Sequence, residues 1–192
     1  TAVGRVDLVT RGKDINDVTL SGGSGNVALG EGDNSLKATQ RVDSVSAGDG
    51  DDTVTVDGVG HVSLGDGDNT LTATGRIDRY TGGDDNDHVT LEQGGGQAFL
   101  GNGTNTFIAN GPIDEVRGGN DVDTITLNAG GRAFAGHGDD VLISNGGRSE
   151  LYGQNGNDTF VFNLASANGG RAIGGAGDDT LELRLAAEQE QL

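Results

Sequence analysis

The chain has 192 residues, 37 of them Gly, one Pro and no Cys, Met or Trp, and 12 basic against 30 acidic side chains leave a formal charge of −18. Absence of Cys excludes a disulfide framework and thiolate metal sites. The acidic balance argues against nucleic acid and anionic membranes and favours cations, while no apolar run is long enough to span a bilayer.

An apolar content of 32% with this charge would ordinarily indicate disorder, but a strict repeat argues otherwise. In chain order the block reads RGKDINDVT from 11, LGEGDNSLK from 29, AGDGDDTVT from 47, LGDGDNTLT from 64 and GGDDNDHVT from 82. It continues as LGNGTNTFI from 100, GGNDVDTIT from 118, AGHGDDVLI from 135, GQNGNDTFV from 153 and GGAGDDTLE from 174. Its sixth position falls at Asn16, Asn34, Asp52, Asn69, Asp87, Asn105, Asp123, Asp140, Asp158 and Asp179, in steps of 17 or 18 residues and a last step of 21. The stretch from Ser166 to Gly170 accounts for the longer step as a bulge or loop. Weaker nonapeptides lie between, such as ATQRVDSVS and LEQGGGQAF.

Each coil therefore reads as turn, strand, turn, strand, with all ten strong turns on one edge. The eighth residue of a nonapeptide and the first of the next are two apart and share a strand face. Small residues such as Ala38, Ala73 and Ala109 follow the large Leu36, Leu71 and Phe107, whereas Val54, Val89 and Ile125 precede Val56, Leu91 and Leu127. That alternation fills a thin core at constant volume over about 36 residues, two coils. The expected fold is all-β, a parallel β-roll or β-helix of about ten 18-residue coils over 1–182, with a helix-prone tail or cap at 183–192. At roughly 4.8 Å per coil the rod would be about 50 Å long. Its thin core is marginal against the entropy of ordering the backbone, so something else must help hold it.

The block is similar to the nonapeptide G-G-x-G-x-D-x-U-x, U apolar, of the RTX (repeats-in-toxin) haemolysin-type family. The match is best at GGAGDDTLE, GQNGNDTFV and AGHGDDVLI. The resemblance implies several calcium ions between turns stacked on one edge, held by loop carbonyls and the sixth-position side chain. It implicates Asp52, Asp87, Asp123, Asp140, Asp158 and Asp179, and with an oxygen but no charge Asn34, Asn69 and Asn105. The loop carbonyls would come from Gly48, Gly50, Gly65, Gly67, Gly136, Gly138, Gly156, Gly175 and Gly177. Calcium takes six to eight hard oxygen ligands, Gly brings carbonyls inward at little steric cost, and stacked Asp would repel one another without the ion. Departures are the Asn residues, and Asp14, Asp85 and Asp121 in place of the fourth-position Gly. Asp7, Asp43, Asp78 and Asp114 hold the sixth position of the weaker edge. A one-edged ladder is expected, strongest from Asp123 to Asp179 and weakest at Asn16 and Asn34.

The resemblance further implies a non-catalytic module of a secreted bacterial protein, folding when it meets extracellular calcium after type I secretion. Its partners would be calcium and neighbouring domains of a longer polypeptide, as a start at Thr1 also suggests, with self-association possible through open solenoid ends. Two other readings are an ice-binding or adhesive solenoid and a metal-free one held by Asn and Thr ladders. The first draws on the outward Thr residues, among them Thr53, Thr55, Thr70, Thr72, Thr124 and Thr126. A carbohydrate-binding β-helix would want clustered aromatics or basic residues, where the sequence offers Tyr80, Tyr152 and scattered Phe. His61, His88 and His137 have no zinc or catalytic spacing and read as surface residues. GSGNVA lacks the helix of a dinucleotide site, and no Glu closes an EF-hand loop. The sequons at Asn102 and Asn157 read as accidental.

Overall fold

A computed structural model describes residues 8–9, 15–163 and 167–185. Strands alternate between two parallel sheets of ten strands each, so the parallel partner of every strand lies one coil away rather than next in sequence. Sheet A contains the strands that follow the strong turns: Asp17–Leu20, Ser35–Ala38, Thr53–Val56, Thr70–Ala73, His88–Leu91, Thr106–Ala109, Thr124–Leu127, Val141–Ser144, Thr159–Asn163 and Thr180–Arg184. Sheet B contains Leu8–Val9, Ser24–Ala28, Val42–Ser46, Val59–Ser63, Ile77–Thr81, Gly95–Phe99, Ile113–Gly119, Gly131–His137, Gly147–Asn155 and Ala167–Ala176. The all-β parallel solenoid expected from the repeat is the observed fold, and no helix occurs among the described residues.

Period-two alternation drives the strands. In Thr53–Val56 the two Val side chains are buried and the Thr side chains face out, as a half-buried pleated strand requires. Register stacks the inward residues in files: Val54, Leu71, Val89, Phe107, Ile125, Leu142 and Phe160 in one, Val56, Ala73, Leu91, Ala109 and Leu127 in the next. These are all buried, so the alternating volumes read from the sequence interlock across coils.

The longer last step appears as a bulge, with Gly147 opposite Ala167 but Ser149 opposite Gly170. The last strand of sheet A runs to Arg184, across the tail boundary expected at 183, and residues 186–192 lie outside the described chain. In that final strand Leu181 and Leu183 sit in register with Phe160 and Phe162, yet are 55% and 56% exposed, since no further coil covers them among the described residues.

The two faces differ. Sheet A presents two outward files in register, Thr53, Thr70, His88, Thr106, Thr124, Val141 and Thr159 beside Thr55, Thr72, Thr90, Ile108, Thr126 and Ile143, the second file ending at Val161, which is buried. Sheet B stacks Phe99, Arg117, Phe134 and Tyr152 in one file. There the Arg79 guanidinium lies 4.5 Å over the Phe99 ring and that of Arg117 5.4 Å over Phe134, while Phe134 and Tyr152 stack at 4.6 Å. This corrects the expectation of scattered Phe: three of the aromatics gather with arginines on one face. Tyr80, by contrast, is fully buried and belongs to no surface.

Candidate metal-binding edge

The strong turns stack so closely that their glycines are needed where they occur. Gly67 has φ +114, and a Cβ there would fall onto the Gly50 carbonyl of the coil before. Gly48 does not take a positive φ; a Cβ at that residue would come within 2.9 Å of the Gly30 carbonyl, so close stacking rather than dihedral freedom selects it. At Gly153 and Gly174 a Cβ would fall onto the Oδ2 atoms of Asp158 and Asp179, which explains Gly in the first position of those blocks. The fourth position keeps a left-handed backbone even where Asp replaces Gly, at Asp85 (φ 81) and Asp121 (φ 74).

The sixth-position side chains form one continuous column. Oδ1 of each accepts the backbone N–H of the sixth residue one coil earlier: Asp52 from Asn34 (2.8 Å), Asn69 from Asp52 (3.0 Å), Asp87 from Asn69 (3.1 Å) and Asn105 from Asp87 (2.8 Å). The pattern continues with Asp123 from Asn105 (2.9 Å), Asp140 from Asp123 (2.7 Å), Asp158 from Asp140 (3.0 Å) and Asp179 from Asp158 (3.0 Å). All these side chains are buried save Asp179, which stands in the last described coil and is exposed.

Their second polar atoms differ. The amide of Asn34 donates to the carbonyls of Gly30 and Gly32 (3.2 and 2.5 Å), that of Asn69 to Gly65 and Gly67 (3.1 and 2.8 Å), and that of Asn105 to Asn102 and Gly103 (3.3 and 2.9 Å). Oδ2 of Asp87 accepts the Tyr80 hydroxyl at 2.6 Å, and that of Asp123 the Gly119 N–H at 3.2 Å. Oδ2 of Asp52, Asp140 and Asp158 is buried with no hydrogen-bond partner. Burial, the largest cause in each case, raises the carboxyl pKa of Asp52, Asp87 and Asp158, that of Asp123 to about 6 and that of Asp140 to about 7.

A buried carboxylate oxygen without a donor is costly, and a hard cation relieves it. Among the described residues no three His, Cys, Asp or Glu gather as a metal-binding group, so an ion on this edge must draw on backbone carbonyls. Carboxylate and carbonyl oxygens are the donor set of calcium, and the edge fits that ion.

The weaker edge is of another kind. Asp43, Asp78 and Asp114 are exposed there, and two of them pair with arginines, Asp78 with Arg41 at 2.9 Å and Asp114 with Arg76 at 3.6 Å. Further along, the amides of Asn128 and Asn145 donate to the side-chain oxygens of Asn110 and Asn128 one coil back, both at 2.6 Å. Asp7 and Asp14 lie outside the described residues. His61, His88 and His137 are all exposed, as expected.

In fold the chain is similar to a hyperactive, Ca2+-dependent, β-helical antifreeze protein from an Antarctic bacterium, whose crystal structure matches with a TM-score of 0.66 and 20% identity over 97% of this chain and 81% of that one. No curated protein matches. The model of the RTX calcium-binding nonapeptide repeat matches four copies, over residues 30–58, 134–164 and 169–183. The three buried Oδ2 atoms without a donor, of Asp52, Asp140 and Asp158, all fall within those segments. Over those three segments the chain is similar to the RTX calcium-binding nonapeptide repeat.

Proposed function

We propose that the chain is a non-catalytic, calcium-binding structural module of a secreted bacterial protein, and that calcium met outside the cell completes its fold. The observation that carries this reading is the set of three buried carboxylate oxygens without donors on the strong-turn edge. Calcium would be held by Asp52 with carbonyls of the Gly48–Gly50 turn, and by Asp140 and Asp158 with those of Gly136, Gly138 and Gly156. Asp179 with Gly175 and Gly177 would close the column. Where calcium is scarce the stacked carboxylates oppose folding; where it is plentiful its binding free energy becomes folding free energy. Magnesium prefers a smaller octahedral shell and keeps its waters, so it would not substitute.

A second reading draws on sheet A. Its two outward files carry only Thr, Val and Ile from Thr53 to Thr159, apart from His88. Hydroxyls and methyls would recur about 4.8 Å along the axis and about 6.7 Å across it, an array able to order water. The similarity in fold to an antifreeze protein gives this face an ice-binding role to test.

One preparation tests both. Far-ultraviolet circular dichroism of the chelated chain should gain β signal cooperatively with calcium and not with magnesium; a signal complete in chelator and a melting temperature indifferent to calcium would overturn the first reading. Thermal hysteresis of the calcium-loaded chain, lost in Thr72→Tyr, would support the second, and its absence would overturn it.

A further inference from the structure

Resting on that calcium reading, we propose that the edge is divided: among its buried sixth positions calcium is confined to the turns of Asp52, Asp140 and Asp158, while in the coils between them a donor of the protein itself stands in for the ion.

The column supplies the reason. All sixth-position side chains use Oδ1 in the same way, on a backbone N–H of the preceding coil, so the coils differ only in what the second polar atom meets. In Asn69 that atom is an amide nitrogen between two loop carbonyls, at 3.1 and 2.8 Å. A positive group facing loop oxygens is what a bound cation would provide, and Asn brings its own. Asn105, two coils on, likewise donates to two carbonyls of its loop, those of Asn102 and Gly103. An ion placed there would meet the amide's hydrogens instead of an oxygen.

The intervening Asp coils reach the same end by other donors. Both have Asp in the fourth position of the turn, Asp85 and Asp121. In the first the buried Tyr80 hydroxyl donates to Asp87; in the second the Gly119 N–H donates to Asp123. Four successive coils, from Asn69 to Asp123, thus have no second oxygen left without a donor. Asp52 on one side and the adjacent Asp140 and Asp158 on the other do. The rod therefore has an ion-independent middle flanked by two ion-dependent stretches, and its calcium content is set by the Asp turns that lack a donor and not by the number of repeats.

Calcium stoichiometry of the full chain, measured by isothermal titration and equilibrium dialysis with a circular dichroism check on each variant, tests the division. Asp52→Asn should lose an ion and keep its fold in chelator, because the new amide can cap the turn. Asn105→Asp should gain an ion. Asp87→Asn should leave the count unchanged. Loss of an ion in Asp87→Asn, or an unchanged count in Asp52→Asn, would overturn the division while leaving calcium binding intact. A wild-type chain that takes up no calcium would instead overturn the calcium reading on which the division rests.

Discussion

Tyr80 and Asp87 are seven residues apart, on opposite sides of one turn, and meet at 2.6 Å in the core. Burial and the neighbouring carboxylate hold the Tyr80 hydroxyl well above its usual pKa, so it stays a donor, and its hydrogen bond partly offsets the upward push that burial exerts on Asp87. Tyr80→Phe removes that donor and leaves a fourth coil with an orphaned carboxylate oxygen. In chelator it should destabilise the chain by about 1–3 kcal/mol, and adding Asp87→Asn should restore part of the loss, since the amide can turn to the loop carbonyls. Denaturant melts of the two variants check this; equal stability of Tyr80→Phe and wild type would show that the hydroxyl has no such role. Nothing in the sequence pattern singles out this pair. Tyr80 reads there as one of the few aromatics open to a ligand, and only the packing of Gly82 against its hydroxyl and the Asp87 carboxylate reveals why a Tyr sits in the core.

At the scale of the turn and strand, most of the structure is legible in the sequence. Period-two alternation, the spacing of Asp and Asn, and the rise and fall of core volumes prescribe strands, coil length and register together. The opposite roles of Asn and Asp at one frame position are not legible, because both residues look like oxygen donors until the loop carbonyls are in place around them. The file of Phe99, Arg117, Phe134 and Tyr152 is not legible for a different reason: its members are 17 or 18 residues apart and become neighbours only in the outward register of sheet B. The stacked turns also set a pH response. Burial pushes the Asp140 carboxyl up to about 7 and that of Asp123 to about 6, well above the usual carboxylate range. The folded state then binds more protons than the unfolded, and stability without calcium falls as pH rises from about 4 through 7. In chelator the melting temperature should be higher at pH 5 than at pH 8, and Asp140→Asn should flatten the difference, which general repulsion among exposed carboxylates would not do. A higher melting temperature at pH 8 would contradict the burial of these groups.

Across the whole molecule, the acidic charge, the Gly-rich turns and the thin core belong to one arrangement. Each coil adds only a few buried side chains, and its carboxylates are brought into a column that repels itself. A solenoid built this way is quasi-one-dimensional, with each coil stabilised by its neighbours, so a missing interaction on the edge is felt along the adjoining coils. The final described coil shows what such dependence means, since Leu181 and Leu183 occupy core register and remain open. The proposed function has divalent ions complete the strong-turn edge. Its most direct test is an anomalous difference map from crystals grown in calcium, recorded at a wavelength where calcium scatters anomalously. Peaks beside the Oδ2 atoms of Asp52, Asp140 and Asp158 are the expected result. A map without peaks along that edge, with water or side-chain donors filling those positions at saturating calcium, would contradict it.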